Sequence, residues 1–492
     1  MAKNPNDEYE IRLNKLKKIR EQGINPYPEK FDKSQSVVEI LKLKLGKKVK
    51  TAGRLLTIRE MGKIAFCHLQ DGSGKIQLVF KENELDKDGL KSFIKIFDPG
   101  DFIGVEGEVF KTQKGEISIL VKKFVILAKA LRPLPEKWHG LKDQELIYRQ
   151  RYLDLIASGE TYERFLFRGE FIKSLREFYW SSGFIEVETP ILTNTASGAI
   201  AKPFKTHYNA LDLDVYLRIA PETYLKECVI GGLEKVFEIG RSFRNEGMDP
   251  SHLQDFTLAE HYAAYWEFED NMRFTEAMFS YLLKKLFGDL KIEIKDRSGK
   301  AIKIDFKPPW PKVSFRDLIK KDCGIDIDKL KSVKDLQTEI KKKKIKIEGM
   351  EKLERGNLID ALYKEVSRSK IIQPTFVINH PIDVSPLARR NDKNPQIVDR
   401  FQLIVNTWEI VNAYSELIDP VDQKQRFNEQ ANARAKGDEE AHGKDDEFVK
   451  ALEHGAPPMS GWGMGIDRIV ALLTKQDNLR DVVLFPLLRP EK

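Results

Sequence analysis

The segment from Phe237 to Tyr265, FEIGRSFRNEGMDPSHLQDFTLAEHYAAY, constrains the fold of this chain more than any other. Two stretches of alternating apolar and polar residues flank a gap rich in turn-forming residues, which predicts two antiparallel strands joined by a turn. Residues two apart on a strand share a face, so Arg244 and Glu246 can point into one cleft. Glu260 and Tyr262 can enter that cleft from the partner strand. Taken alone, the segment suits a nucleotide and cation site or a surface hairpin with ion pairs.

Length and composition limit the classes of protein to which the chain can belong. Its 492 residues suffice for two or three domains, and they show neither a run of about eighteen apolar residues nor a charged leader before an apolar stretch. A cytoplasmic protein without membrane association is therefore expected. The cysteines, Cys67, Cys228 and Cys323, lie far apart, which argues against a disulfide framework and a structural zinc site. A net charge of +7 permits an RNA partner without requiring one.

The first part of the chain predicts a basic helix followed by a small β-barrel. Residues 1–35 hold an apolar helical stripe among lysines and arginines, which suits either contact with RNA phosphates or an ordinary solvated face. Residues 36–131 contain five short strand patterns separated by glycine-containing turns, as expected for a closed barrel of the oligonucleotide-binding (OB) type. Residues 132–150 begin with a proline-rich stretch that indicates a linker.

The remaining residues, 151–492, mix helical and strand patterns, which favours an α+β domain on a mostly antiparallel sheet. Within this region, residues from about 315 to 372 are rich in lysine and leucine and predict an inserted helical subdomain. The lysine run at 341–344 is explained by a solvated surface or, alternatively, by contact with RNA.

Two further segments support the interpretation of the hairpin as a functional site. Gly183–Phe204 predicts a helix end followed by a strand that is broken at Pro190. Gly461–Leu473, GWGMGIDRIVALL, predicts a glycine-rich strand entering an apolar helix that carries Arg468. Each is weak evidence alone, because glycine in a strand also serves close packing. Together and in this order, the three segments closely resemble the signature motifs of class II aminoacyl-tRNA synthetases.

Four more segments are similar to those of lysyl-tRNA synthetases of the bacterial type. They are YLRIAPETYLK at 216–226, SPLARRNDKNP at 385–395, EIVNAYSELIDPVDQ at 409–423 and ALEHGAPP at 451–458. The resemblance implies an anticodon-binding barrel, a catalytic domain with an antiparallel sheet flanked by helices, and a homodimer in which the Pro190 segment helps form the interface. It also implies L-lysine, ATP and tRNA(Lys) as substrates, Mg²⁺ with the ATP, and acyl transfer through lysyl-adenylate.

The resemblance assigns six residues to ATP, namely Arg244, Glu246, His252, Phe256, Glu409 and Arg468. Two of them, Arg244 and Arg468, are the expected catalytic residues. Arg244 would bridge the lysine carboxylate and the α-phosphate, where it stabilises the charge that builds during attack. Phe256 and Arg468 would sandwich the adenine between an apolar face and a guanidinium. Glu246 would lie at the adenine edge and His252 near the terminal phosphates.

The lysine site must supply carboxylates, because lysine carries two ammonium groups whose burial without partners is costly. By resemblance, Glu416 and Tyr262 bind the ε-ammonium. Acids and tyrosines on strands also serve as cross-strand pairs, and for each residue taken singly this alternative stays open. The residues at the family's lysine-site positions are Gly198, Glu222, Arg244, Glu260, Tyr262, Asn412, Tyr414 and Glu416.

Three positions depart from the family's pattern. Glu409 matches an acid linked to ATP and its metal ion, but the acid seven residues upstream is replaced by Gln402. An amide oxygen is a weaker magnesium ligand than a carboxylate, so we expect one metal ion to bind differently or more weakly. Leu253 and Gln254 replace turn residues of the family, among them an asparagine that contacts the nucleotide. Residues 197–199, Ser-Gly-Ala, stand near the amino acid where two glycines are common.

In the predicted barrel, Phe66, Gln77 and Glu116 occupy the positions by which the family recognises the anticodon. An aromatic ring can stack on a base, while an amide and a carboxylate can bind base edges. Phe66 could instead belong to the barrel core, since it precedes Cys67 in an alternating strand.

Three other functions compete with lysine activation. An aspartyl- or asparaginyl-tRNA synthetase would share the barrel and the motifs, but three glutamates would repel an aspartate side chain. A paralogue that lysylates proteins would lack the barrel. A tRNA-binding or regulatory protein that has lost synthesis is disfavoured by Arg244, Arg468 and Glu409, although Gln402 keeps it open.

Overall fold

The protein is represented by a computed structural model that describes residues 5–135, 143–195, 197–199, 201–247, 249–296, 299–385, 387–435 and 445–491. The chain divides into two compact units, Met1–Lys142 and Asp143–Lys492. The proposed linker at 132–150 includes residues 136–142, which lie outside the described residues. Among the helices of the described residues, none combines the length and the apolar composition that crossing a membrane requires.

The described residues of the first unit form five strands and three α-helices. They are α1 (Pro5–Glu21), α2 (Val37–Ile40), β1 (Lys48–Met61), β2 (Ile64–Asp71), β3 (Gly74–Lys81), α3 (Gly89–Ile96), β4 (Phe102–Lys111) and β5 (Ile117–Ala128).

These five strands close into a barrel in the order β1-β2-β3-β5-β4, which confirms the predicted OB-type barrel. The alternation in the sequence places every second side chain inside. In β2, Ala65, Cys67 and Leu69 are buried in the barrel core, whereas Phe66 and His68 lie on the outer face. Phe66 is therefore not a core residue.

The second unit begins with α4 (Gln144–Arg149), α5 (Arg151–Ala157), α6 (Gly159–Ser181), β6 (Ile185–Glu186), β7 (Leu192–Thr193), β8 (Lys205–Tyr208), β9 (Leu213–Leu217), α7 (Glu222–Ile230), β10 (Lys235–Phe243), β11 (Asp255–Ala264) and α8 (Phe268–Phe287). It continues with β12 (Lys291–Lys295), β13 (Ala301–Asp305), β14 (Lys312–Ser314), α9 (Phe315–Cys323), α10 (Val333–Lys342), α11 (Arg355–Val366), β15 (Thr375–Ile378), β16 (Arg400–Val405), β17 (Trp408–Ser415), α12 (Pro420–Ala435), α13 (Asp446–Glu453), β18 (Met459–Gly465) and α14 (Ile466–Leu473).

An eight-stranded sheet in the order β14-β15-β16-β17-β18-β11-β10-β6 organises this unit. The pairs β14–β15 and β6–β10 are parallel, and the other neighbours are antiparallel, in agreement with the predicted α+β class. β10 and β11 form the hairpin predicted from the sequence, with Val236 opposite Tyr262 and Phe243 opposite Asp255.

The sheet buries one face and leaves the other for a cavity. Phe237, Val411 and Trp462 point from its strands into the main core, where side chains of α6, α8 and α14 cover them. Because neighbouring residues of a strand point to opposite faces, Glu260 and Asn412 point to the other side. The predicted inserted helical subdomain consists of α9 to α11, which follow β14 and precede β15 in the chain. These helices pack around a hydrophobic cluster that is separate from the main core.

Candidate active site

A cavity of about 310 Å³ opens on the face of the sheet opposite to α6 and α8. Its wall is built mainly by the β10–β11 hairpin, β17, β18 and the start of α14. Most of the residues predicted for ATP and lysine line it, namely Gly198, Glu222, Arg244, Glu246, His252, Phe256, Glu260, Tyr262, Glu409, Asn412, Tyr414 and Arg468. Two predicted residues, Glu416 and Gln402, lie behind the wall instead of in it.

The glycines of β18 bring the acidic wall close to the sheet. Gly461 pairs with Tyr262, and Gly463 pairs with Glu260. A Cβ atom on Gly461 would lie 2.3 Å from Oε1 of Glu416 and 2.3 Å from a ring carbon of Tyr262. Any larger residue at Gly461 would therefore displace two residues predicted for the ε-ammonium, and the glycine-rich pattern reflects the shape of the site.

Two arginines meet in the cavity without a carboxylate partner. Within the described part of the chain, no carboxylate oxygen lies within 4.0 Å of a guanidinium nitrogen of Arg244 or Arg468. Arg244 lies over the ring of Phe256 at 5.0 Å from its centre, and its Nε is buried without a hydrogen-bond partner among the residues that the structure describes. Nη1 of Arg468 donates to the carbonyl of Glu409 at 3.3 Å. Burial is the main cause that lowers the pKa of Arg244; Glu246 opposes this shift, and Arg468 adds to it. A buried guanidinium whose pKa remains lowered is stabilised by an anion, so this corner favours one.

At the other end of the cavity, three buried carboxylates come together. The hydroxyl of Tyr414 donates to both oxygens of Glu222, each at 2.9 Å. Oε2 of Glu260 is buried without a partner among the described residues, and burial holds the pKa of Glu260 well above its usual range. Burial also raises the pKa of Glu416 to about 8. Burial thus disfavours the ionised forms of Glu260 and Glu416, and a cation bound beside them would stabilise those forms, so this end favours cations.

Sequence reasoning missed a charged residue in this cluster, Lys226. Its Nζ lies 2.5 Å from Oε1 of Glu222 and 2.5 Å from Oε2 of Glu416, and its side chain is 1 % exposed. The spacing of four residues from Glu222 places Lys226 on the same side of α7, which is a signal that the sequence contains. Its contact with Glu416 links residues 190 positions apart and carries no local signal.

Behind the arginines, Gln402 contacts the acid that the resemblance links to a metal ion. Its Nε2 donates to Oε2 of Glu409 at 3.0 Å, and its own Oε1 is buried without a partner among the described residues. In the residue ranges that the structure covers, no three His, Cys, Asp or Glu side chains are grouped to hold a metal ion. Magnesium that arrives with ATP takes most of its oxygens from phosphate and water, so a single carboxylate from Glu409 fits such an ion.

The turn between β10 and β11 contains Leu253 and Gln254, two residues that depart from the family's pattern. Nδ1 of His252 lies 2.6 Å from Oδ2 of Asp249, which fixes the imidazole in the turn, while Leu253 forms part of the wall. Gln254 lies outside the wall, and its carbonyl accepts a hydrogen bond from the backbone of Arg244 at 2.9 Å. The turn therefore positions Arg244 through its backbone.

On the loop at 197–199, Oγ of Ser197 donates to Oδ2 of Asp445 at 2.5 Å. A glycine, which is common in the family on this loop, has no side chain to form such a bond. Gly198 has φ of +91°, and a Cβ atom there would lie 3.0 Å from Cβ of Glu222. The one glycine that remains thus stands where a side chain would be strained and crowded.

Comparison with known proteins identifies the chain's relatives. Residues 143–489 match the model of tRNA synthetases class II (D, K and N), and residues 49–127 match that of the OB-fold nucleic acid binding domain. A lysine–tRNA ligase of Carboxydothermus hydrogenoformans is 48% identical over 99% of this chain and 98% of its own length. That of Thermosipho africanus is 46% identical over 98% and 96%. The chain belongs to the lysine–tRNA ligase family. Another member, from Aquifex aeolicus, is 48% identical over 90% of this chain and 73% of its own length.

The barrel of this lysine–tRNA ligase family member brings its three predicted anticodon residues to one outer face. Nε2 of Gln77 donates to Oε2 of Glu116 at 2.9 Å. His68, which pairs with Gln77 across the strands, places its Nε2 3.8 Å from Oε1 of Glu116. Phe66 lies two residues before His68 and shares its face. An aromatic ring beside exposed polar groups is suited to a single-stranded nucleic acid, and His68 was missed by the sequence analysis.

Proposed function

We propose that this chain activates L-lysine with ATP and then transfers the lysyl group to the 3′ end of tRNA(Lys). The observation that carries the proposal is the opposite charge of the two ends of one cavity. At one end, Arg244 and Arg468 form no ion pair with a carboxylate of the described residues, and Glu222, Glu260 and Glu416 gather at the other. A substrate pair with anionic phosphates and a carboxylate beside two ammonium groups matches that division.

In the first step, a carboxylate oxygen of lysine attacks the α-phosphorus of ATP, and the bond to the β-phosphate oxygen breaks to release pyrophosphate. No protein nucleophile takes part, so the rate depends on position and electrostatics. The proposed role of Arg244 is to bind both reacting groups. It is supported by the position of Arg244 in the cavity wall and by the absence of an ion pair between its guanidinium and the other described residues. Its charge stabilises the five-coordinate phosphorus more than the ground state. Phe256 and Arg468 are proposed to hold the adenine between them.

The second step forms the ester bond to tRNA. The ribose 3′-hydroxyl attacks the carbonyl carbon of lysyl-adenylate, the bond from that carbon to the phosphate oxygen breaks to release AMP, and the hydroxyl proton passes to the AMP phosphate or to water. Throughout both steps the acidic end holds the lysine side chain. We propose that Glu416 and Tyr262 bind the ε-ammonium and that Glu260 and Asn412 bind the rest of the amino acid. Magnesium supplies charge neutralisation at the phosphates when it is bound, and Glu409 is the residue proposed to hold it.

Gln402 leads to a prediction about magnesium. In the variant Gln402→Glu, a second carboxylate would face Glu409 in place of the amide that donates to it at 3.0 Å. Two adjacent carboxylates attract a divalent cation more strongly than one carboxylate and an amide. We expect the magnesium concentration for half-maximal ATP–pyrophosphate exchange to fall severalfold. Gln402→Leu, which removes the hydrogen bond without adding charge, is the control, and an unchanged magnesium dependence in Gln402→Glu would contradict the hypothesis.

We further propose that the outer face with Phe66, Gln77 and Glu116 recognises the anticodon. In Phe66→Ala, a base would lose its stacking platform, which is worth about 1–3 kcal/mol, so the KM for tRNA should rise roughly tenfold or more. The rate of lysyl-adenylate formation should not change. Steady-state aminoacylation and pyrophosphate exchange measure the two steps separately.

Phe102→Ala provides a matched control, because Phe102 is another partly exposed aromatic residue of the barrel, on β4. Equal losses of both activities in Phe66→Ala would indicate a folding role for Phe66 and reject the anticodon role.

We also propose that the chain forms a homodimer through the segment around Pro190. Near it, Ile191, Leu192 and Leu211 are exposed large apolar side chains, as expected of a surface that a partner covers. Sedimentation should give twice the chain mass of 56.8 kDa, and Leu192→Lys should shift the protein toward the monomer. Leu45→Lys, at an exposed leucine of the first unit, should leave the mass unchanged. A wild-type monomer at micromolar concentration would reject this interface.

Pyrophosphate exchange with a panel of amino acids tests the proposed function as a whole. Exchange with lysine alone supports it, and exchange with aspartate or asparagine would move the specificity to a related synthetase. Absence of exchange with every amino acid would favour a tRNA-binding protein that has lost synthesis. The three buried carboxylates make aspartate an unsuitable substrate, because its side chain would add a fourth negative charge.

A further inference from the structure

Lys226 occupies an unusual position for a lysine, since it lies inside a site proposed to bind lysine. Its ammonium is held by Glu222, on the same helix, and by Glu416, which follows β17. The rings of Tyr262, Tyr414 and Phe448 surround it, with centres 5.5 to 5.9 Å from Nζ. Elements α7, β11, β17 and α13 thus enclose one buried cation, and the charged groups that face it are the two glutamates.

The charges of this region balance only if Lys226 is counted. Glu222, Glu260 and Glu416 are each less than 9 % exposed, so the site contains three buried carboxyl groups. When lysine binds and all three are ionised, Lys226 offsets one of them and leaves two. Lysine brings two ammonium groups, while its carboxylate goes to Arg244 under the proposed function. The two remaining negative charges of the protein then balance the two positive charges of the bound lysine. Buried charges must be balanced in this way if the complex is to be stable.

We infer that Lys226 is a specificity-determining residue that sets the charge of the lysine pocket and holds Glu222 and Glu416 in place for the substrate's ammonium groups. This inference rests on the proposed function. Burial already favours the protonated form of Glu416 in the empty site. Without Lys226, Glu222 and Glu416 would face each other without a resident cation, and the site would hold its proton more tightly. A protonated acid is a poor partner for an ammonium group. Selection of lysine, which carries two ammonium groups, over neutral amino acids therefore depends on the ammonium group of Lys226.

Lys226→Met tests the inference, because methionine keeps much of the length of the side chain and removes its charge. At pH 7 we expect the KM for lysine in pyrophosphate exchange to rise on the order of 100-fold, while the KM for ATP changes less than about threefold. Lysine must displace this proton, which the variant holds more tightly, so the ratio of the KM for lysine in the variant to that in the wild type should fall between pH 7 and pH 9. A role confined to packing would not produce this pH dependence.

The chain offers a matched control in its other unit. Lys129 is also fully buried, and its Nζ lies 2.5 Å from Asp98 and 2.7 Å from Asp101. Lys129→Met thus removes a buried cation between two carboxylates at a place that is not part of the lysine site. It should lower the melting temperature and leave the KM for lysine unchanged, which separates the general cost of unpaired buried acids from the effect on lysine.

A second variant keeps the test decisive if Lys226→Met does not fold. Lys226→Met combined with Glu222→Gln removes one charge of each sign, so the remaining two carboxylates again match two ammonium groups. Its KM for lysine should be lower than that of Glu222→Gln alone, in which the positive charges of Lys226 and of bound lysine exceed the negative charges of the two remaining carboxylates. The inference is overturned if the double variant binds lysine no better than Glu222→Gln, if Lys226→Met changes the KM for lysine less than threefold, or if the KM for ATP rises in parallel. A wild type that shows no lysine-dependent exchange rejects the proposed function itself.

Discussion

Replacing Arg244 with alanine is expected to lower kcat for lysine-dependent pyrophosphate exchange on the order of 1,000-fold, with no loss of thermal stability. The loss of activity follows from its place at the anionic end of the cavity, where negative charge develops during attack on the α-phosphorus. The unchanged stability follows from its contacts. Arg244 forms no ion pair with the described residues, so its removal leaves no buried carboxylate without a partner.

A neighbouring arginine on β10 provides the control for Arg244. Arg241 lies three residues earlier, is exposed, and forms a 3.4 Å ion pair with Asp255 outside the cavity. Arg241→Ala should keep kcat within about twofold, since exposed ion pairs contribute little. Arg244→Lys should recover only a small part of the activity, because an ammonium cannot bind a carboxylate and a phosphate in the planar manner of a guanidinium. An Arg244→Ala variant with more than a tenth of the wild-type kcat would exclude a role in the reaction.

The parts of the structure that follow from local pattern could be predicted from the sequence. Period-two alternation around the turn-forming residues 247–251 identified the β10–β11 hairpin, and the same pattern in five segments identified the barrel. Alternation also decides which side of a strand a residue takes, so Glu260 and Tyr262 could be assigned to one face. The placement of Phe66 outside the barrel core follows from the same rule, although the sequence alone left both faces open.

Contacts between distant segments could not be predicted in this way. Lys226 and Glu416 lie on elements 190 residues apart, and no spacing in the sequence relates them. The position of Glu416 behind Gly461 depends on how β17, β18 and α7 pack, which is set by tertiary structure. The same holds for Gln402, whose hydrogen bond to Glu409 depends on the pairing of β16 with β17 and an irregularity in their register. The sequence shows that Gln402 stands where the family has an acid, but only the structure shows that Gln402 contacts Glu409.

The variant Glu416→Gln is expected to lose lysine activation and to change how stability depends on pH. A neutral amide in place of Glu416 leaves the ε-ammonium without its charged partner, and breaking a buried ion pair costs about 3–5 kcal/mol. The kcat/KM for lysine should therefore fall by about 100-fold to 1,000-fold or more. Lys226 keeps its contact with Glu222 at 2.5 Å, so the fold should survive the substitution.

The protonation of Glu416 stabilises the folded protein at low pH and ceases to do so at high pH. Burial raises the pKa of Glu416 in the folded protein to about 8 from the ordinary value of 4.5, so the folded protein holds a proton that the unfolded chain releases. The stabilisation from this proton is complete below pH 4.5 and is lost as the pH rises through about 8. Glutamine does not titrate, so the melting temperature of Glu416→Gln should fall less between pH 5 and pH 8.5 than that of the wild type. Calorimetry on both proteins measures the difference, and parallel pH profiles would show that Glu416 is already ionised in the empty site. Lysine binding adds a second measurement, because the ammonium group favours ionised Glu416 and should release a proton near neutral pH from the wild type alone.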